Sequence, residues 1–127
     1  MDREEAIKLA EKFLSGWNSQ DVEKAISCYT EDCIYQDPNT RGPVLGHEAL
    51  RKYLKRSFQQ WKMHWSVREF FLFGDRNGGT FLWHAQLTPA IGGRIWEING
   101  MDLVIINGDR ICRNEVYFDR AVLFSDQ

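Results

Sequence analysis

Apolar residues recur at helical spacing from the start of the chain, with Ile7, Ala10, Phe13, Leu14 and Trp17 on one face. Asp2, followed three positions later by Glu5, has the form of a capping box, so a helix is predicted from about residue 3 to Asn18. Asp21 opens a second, shorter helix whose inward stripe is Val22, Ala25, Ile26 and Tyr29. Cys33 to Gln36 reads as a short strand, stopped by Asp37-Pro38 and the turn-rich stretch 39–46, because proline donates no ladder hydrogen bond and biases its predecessor to extended geometry. A third helix carries Leu50, Tyr53, Leu54, Phe58 and Trp61 on one face.

After Trp61 the period falls to two. Met63, Trp65 and Val67 alternate with Lys62, His64, Ser66 and Arg68, then Phe70 and Leu72 take the opposite parity, which predicts a half-buried strand with a bulge near Glu69. Further strands are predicted over Thr80–Thr88, Arg94–Ile106 and Ile111–Phe118, the last two joined by the turn Asn107-Gly108-Asp109-Arg110. Helices first and a long antiparallel meander afterwards define an α+β fold: a curved antiparallel sheet wrapped around three N-terminal helices into a cone with an open mouth. The length, 127 residues, suits one domain over 1–127.

Composition sharpens this picture. Five Trp and 13% aromatic residues let rings build the core and line a cavity. A net charge of -2, with Lys and Arg scattered, leaves no electrostatic footprint for nucleic acid or anionic lipid. Cys28, Cys33 and Cys112 lack metal or redox spacing and read as free thiols of a reducing compartment. The N-terminus is charged and no run approaches a membrane span, so a cytoplasmic protein is expected.

Three acids are candidates for chemistry, since a carboxylate desolvated in a pocket acquires a raised pKa and trades protons near neutrality. Asp37 ends the first strand, either pointing into the mouth or serving as an Asp-Pro turn acid. Asp102 interrupts the apolar run Met101 to Ile106, facing either the pocket or a wet outer face. Asp119 follows Tyr117-Phe118 and either turns back into the cone or pairs in solvent with Arg120. Asn114 shares parity with Val116 and Phe118, so it is a core amide or a ligand contact. Phe13, Trp17, Tyr29, Tyr53, Trp61 and Trp83 are core rings or pocket wall. His47 is placed on the exposed first turn of the third helix, and His64 and His84 have no ligand spacing, so neither a metal site nor a cofactor is expected. There is also no Gly-rich phosphate loop, nucleophile elbow or paired-Cys signature.

The order Trp17-Asn18-Ser19-Gln20-Asp21, Tyr29-Thr30-Glu31-Asp32, Asp37-Pro38, Gly46-His47-Glu48-Ala49-Leu50, Asn107-Gly108-Asp109-Arg110-Ile111 and Tyr117-Phe118-Asp119 resembles the nuclear transport factor 2-like superfamily, in its SnoaL-like branch. The resemblance implies a cystatin-like α+β barrel, a homodimer and a small apolar or polycyclic ligand. That superfamily includes ketosteroid isomerases, polyketide cyclases, epoxide hydrolases, dehydratases and non-catalytic domains. By resemblance, Asp37 matches the isomerase general base, Asp102 the neutral acid of its oxyanion hole, and Asp119 the general acid/base of the cyclases. Phe13 stands where the oxyanion-hole tyrosine is expected, and the strand Thr80–Thr88 lacks the Arg-x-Asp of the limonene epoxide hydrolases. Two functions follow as expectations: a cofactor-free isomerase, cyclase or lyase moving a proton on an apolar oxygenated substrate, or a ligand-binding or interaction domain without turnover.

Overall fold

The computed structural model describes residues 1–124. Helix α1 (Arg3–Ser19) starts at Asp2, whose carboxylate accepts the Glu5 N–H at 2.8 Å while the Glu5 side chain reaches back to the Asp2 N–H. Helix α2 (Val22–Ile26) follows, capped by Asp21, and then β1 (Tyr29–Gln36), β2 (Val44–Leu45) and α3 (Gly46–Gln60). Strands β3 (Trp61–Leu72), β4 (Gly78–Pro89), β5 (Trp96–Asn107) and β6 (Arg110–Phe118) complete the sheet, and a 3-10 turn (Arg120–Phe124) follows.

The sheet has the order β2-β1-β6-β5-β4-β3. From β3 to β6 it is the antiparallel meander that the period-two pattern predicts, with Val67 and Glu69 flanking a register shift at the expected bulge. The bulge reverses the buried parity, so Phe70 is buried while Phe71 is exposed. One pairing departs from the expected pattern: β1 lies parallel to β6, with Tyr35 opposite Asn114. The chain between them runs through α3 and the rest of the meander, a long connection that permits parallel pairing where a hairpin would not.

One element and two boundaries differ from expectation: the two-residue strand β2 pairs with β1 inside the stretch 39–46 that reads as turn. Tyr29 belongs to β1 rather than to the second helix, since α2 closes at Ser27 and the Cys28 carbonyl is taken by the Ile111 N–H at 2.8 Å. Trp61 opens β3 instead of closing α3.

Side-chain amides at the end of α1 tie the helices to the sheet. Strand β3 is an edge, and its open groups are partly taken by Asn18, which donates to the Trp65 carbonyl at 2.9 Å and accepts the Trp65 N–H at 2.7 Å. Gln20, in the left-handed region at φ 53°, donates to the Phe58 and Trp61 carbonyls and accepts the Met63 N–H. The helices thus sit at a set distance from the concave face, and the space between becomes the cavity. No helix among the described residues is long and apolar enough to cross a membrane.

Candidate active site

A cavity of about 440 Å³ lies between α1, α3 and the concave face of the sheet. Its wall is mainly aromatic: Phe13 and Trp17 from α1, Tyr53 from α3, Trp65 and Trp83 from the sheet, and Phe118 at the end of β6. Most of these rings meet edge to face, as Trp65 and Trp83 do at 4.6 Å between centroids, the arrangement that the ring quadrupoles favour. Exposed Asn39, Arg56 and Arg120 line the cavity at its mouth.

Asp102 lies in the wall, only 4% exposed. It is on the concave parity of β5, between buried Val104 and Ile98 two and four residues away. Its Oδ1 accepts the Trp83 indole N–H at 2.7 Å and its Oδ2 accepts the Asn114 amide at 3.0 Å. Burial raises the carboxyl to about pKa 7 against these two donors, which favour the anion, and Asp37 adds a smaller upward push. Asn114, fully buried, also donates to the Leu103 carbonyl at 3.2 Å and accepts the Tyr29 hydroxyl at 2.8 Å.

Gly100 makes this arrangement possible. A Cβ there would come within 2.4 Å of the Trp83 ring and 2.6 Å of the Tyr117 carbonyl, so only glycine lets the indole lie along β5 and reach Asp102.

Asp37 follows the end of β1, nearer the mouth. Its Oδ1 accepts the N–H groups of Asn39 at 2.7 Å and Thr40 at 3.1 Å, an Asx turn spanning Pro38. Its Oδ2 accepts the hydroxyls of Tyr35, at 2.6 Å, and Tyr53. Four donors therefore occupy the roughly four lone-pair sites of one carboxylate. Desolvation is the main cause that pushes both phenols well above the ordinary tyrosine pKa, and the Asp37 charge adds to it, so Tyr35 and Tyr53 stay protonated donors.

The structure brings Asp102 and Asp37 to one cavity together with Phe13, Trp17, Tyr53, Trp61, Trp83, Val116 and Phe118. It places three expected residues elsewhere. Asp119 is exposed and is not among the residues that line the cavity; its Oδ1 accepts the Ala121 N–H at 3.0 Å and so opens the 3-10 turn that follows the end of the strand at Phe118. Arg120, the alternative partner weighed for Asp119, donates to Asn39 Oδ1 at 2.6 Å. Tyr29 and Asn114 lie behind the wall and act on it through Asp102. His47 is half-buried rather than exposed, its Nε2 at 2.8 Å from the Tyr29 carbonyl. Among the described residues no group of three His, Cys, Asp or Glu side chains could hold a metal ion.

Sequence reasoning missed Tyr35, Trp65 and Arg56. Tyr35 shares strand parity with Asp37, and Trp65 lies on the inward parity of β3, so both were findable from alternation; the position of Arg56 depends on the angle at which α3 crosses the sheet.

The profile of the SnoaL-like domain matches residues 10–114. The chain belongs to the SnoaL-like domain family. Solved structures of similar shape include the epoxide hydrolase/cyclase-like enzyme SalBIII, which acts in pyran ring formation in the polyether salinomycin, at TM-score 0.83 and 16% identity over 94% of this chain and 95% of that one. TerC co-crystallised with polyporic acid superposes at TM-score 0.80 and 19% identity, over 94% and 95% of the two chains. A ketosteroid isomerase-like protein from Erwinia carotovora atroseptica gives TM-score 0.69 and 16% identity, over 89% and 92%. At such identities the likeness establishes the nuclear transport factor 2-like fold of this SnoaL-like chain. The curated proteins contain no match to the sequence.

Proposed function

We propose that this SnoaL-like domain binds a mostly apolar, oxygenated small molecule and moves a proton on it without a cofactor. The observation that carries the reading is Asp102: a carboxyl raised to about pKa 7, in the wall of an aromatic cavity, with both of its hydrogen-bond partners donors. Below that pH it is neutral and offers a hydrogen bond to a ligand carbonyl, as the protonated aspartic acid in the oxyanion hole of ketosteroid isomerase does. Asp37 then accepts a proton from the carbon alpha to that carbonyl, once a tyrosine hydroxyl turns away from one of its lone pairs. With a β,γ-unsaturated carbonyl the C–H electrons pass into a dienolate, Asp102 stabilises the oxygen, and return of the proton from Asp37 to the γ carbon gives the conjugated isomer.

Proteins of the same fold described as cyclase-like and isomerase-like support this reading. Deuterium exchange at the alpha carbon of 1-indanone in D2O tests it. Exchange above the buffer rate, abolished in Asp102→Asn and in Asp37→Asn, is the expected result; exchange no faster than buffer overturns it.

Binding without turnover is the second reading. It is favoured by the four donors that already occupy Asp37 and by Phe13, which has no hydrogen bond to give. Saturable binding of the ketone with no exchange is its signature.

On the convex face Leu82, Met101 and Tyr117 stand in register across β4, β5 and β6, an apolar row suited to a second copy of the chain. The free, buried thiols of Cys28 and Cys33 support a cytoplasmic location.

A further inference from the structure

We propose that Asn114 is a positioning residue: its amide, keyed by the Leu103 carbonyl and bonded to the Tyr29 hydroxyl, presents only a donor to Asp102 and so turns the proton of neutral Asp102 into the cavity. The keying is geometric. The Tyr29 hydroxyl donates to Asn114 Oδ1 at 2.8 Å, and the amide nitrogen donates both to Leu103 O at 3.2 Å and to Asp102 Oδ2 at 3.0 Å. Flipping the amide would set its oxygen against the Leu103 carbonyl, a repulsion in a fully buried place, and would replace the bond that the Tyr29 hydroxyl now donates by one that it would have to accept.

The other carboxylate oxygen faces the Trp83 indole, which can only donate. A neutral Asp102 therefore finds no acceptor among these partners. Its O–H must look to the cavity, where a ligand oxygen is the acceptor, and this use of the proton rests on the function proposed above.

Among the described residues, few titratable groups face Asp102. Tyr29, on β1, stays a protonated donor, with its pKa pushed well up mainly by burial and then by Asp102 itself. Asp37 faces it from the end of β1, and Arg56 of α3 and Arg120 line the same cavity at the mouth. None of the three histidines lines it.

The test is the titration of the Asp102 carboxyl carbon by ¹³C NMR in the ligand-free protein, comparing wild type with Asn114→Leu and Tyr29→Phe. Removing the Asn114 donor withdraws support from the anion, so the Asp102 midpoint is expected to rise by about one pH unit, a tenfold change in proton affinity. Tyr29→Phe, which keeps the ring and removes only the hydroxyl that polarises the amide, should shift it the same way by a smaller amount. If Asn114→Leu does not fold, Tyr29→Phe decides alone. An Asp102 midpoint that stays put or falls overturns the proposal. Because this titration uses no ligand, its failure is separate from failure of the exchange assay with Asp102→Asn.

Discussion

Asp102 is the residue whose ionisation should be visible in the stability of the whole protein. Its carboxyl moves from the ordinary aspartate value of 3.8 to about 7 on folding, chiefly through desolvation. Between about pH 4 and about pH 7 the native protein holds a proton that the unfolded chain has released, so stability falls as pH rises through this window and the penalty is complete above it. A shift of this size costs at most roughly 4 kcal/mol. Asp102→Asn keeps the shape and removes the ionisation, so the variant should gain on wild type by at least about 1 kcal/mol at pH 8 and by little at pH 4. Urea unfolding at both pH values measures it, and equal differences at the two would refute the assignment. Asp119 makes a contrasting case: it is exposed and satisfies a single turn N–H. Asp119→Ala is expected to cost less than about 1 kcal/mol, read by the same urea curves.

At the scale of elements, the site depends on contacts between strands and helices that leave little slack. Strand β5 approaches the Trp83 ring through Gly100, where even a methyl group meets ring carbons at 2.4 Å. Gly100→Ala should therefore displace the indole, break its bond to Asp102 and destabilise the fold by about 1–3 kcal/mol, the usual range for overpacking. Loss of the Trp83 contribution in near-ultraviolet circular dichroism, together with a raised Asp102 midpoint, would report the displacement. The edge strand β3 depends on Asn18, whose amide makes two bonds with the Trp65 backbone. Removing both in Asn18→Ala should cost about 1–3 kcal/mol and raise hydrogen exchange at Trp65.

The molecule as a whole has two unlike faces. Its concave side is covered by α1 and α3 and encloses the cavity, whereas the convex side, among the described residues, has no layer over it and carries Phe71 at 50% and Tyr117 at 48% exposure. Apolar side chains in a row on an uncovered sheet favour association. The expected outcome is a dimer in sedimentation at micromolar concentration that dissociates in Met101→Glu, a substitution on the half-exposed side of β5 that leaves the cavity wall alone. A wild-type monomer at that concentration rules this association out.

How much of this was legible along the chain follows from how local each signal is. The capping box at Asp2, the period-two alternation of β3 and the parity switch near Glu69 are set by neighbours in sequence, so the order of the longer elements, the curvature of the sheet and the choice of Asp37, Asp102 and Asp119 as candidates were available from residues alone. Strand alternation even put Asn114 on the inward side of β6. Orientation at the ends was another matter. Whether Asp119 turns in or out depends on where β6 stops pairing with β5, and Phe118 opposite Gly100 is the last pair. The distinction between Asp37 and Asp102 is likewise tertiary: Tyr53 comes from a helix sixteen positions away, Trp83 from a strand nineteen away and Tyr29 from one eighty-five away from its amide partner. Sequence alone determined an aromatic interior and three carboxyls that could meet it; only the folded chain decided which of them line the cavity and how many donors each meets, and desolvation measured against those donors is what sets a proton's affinity.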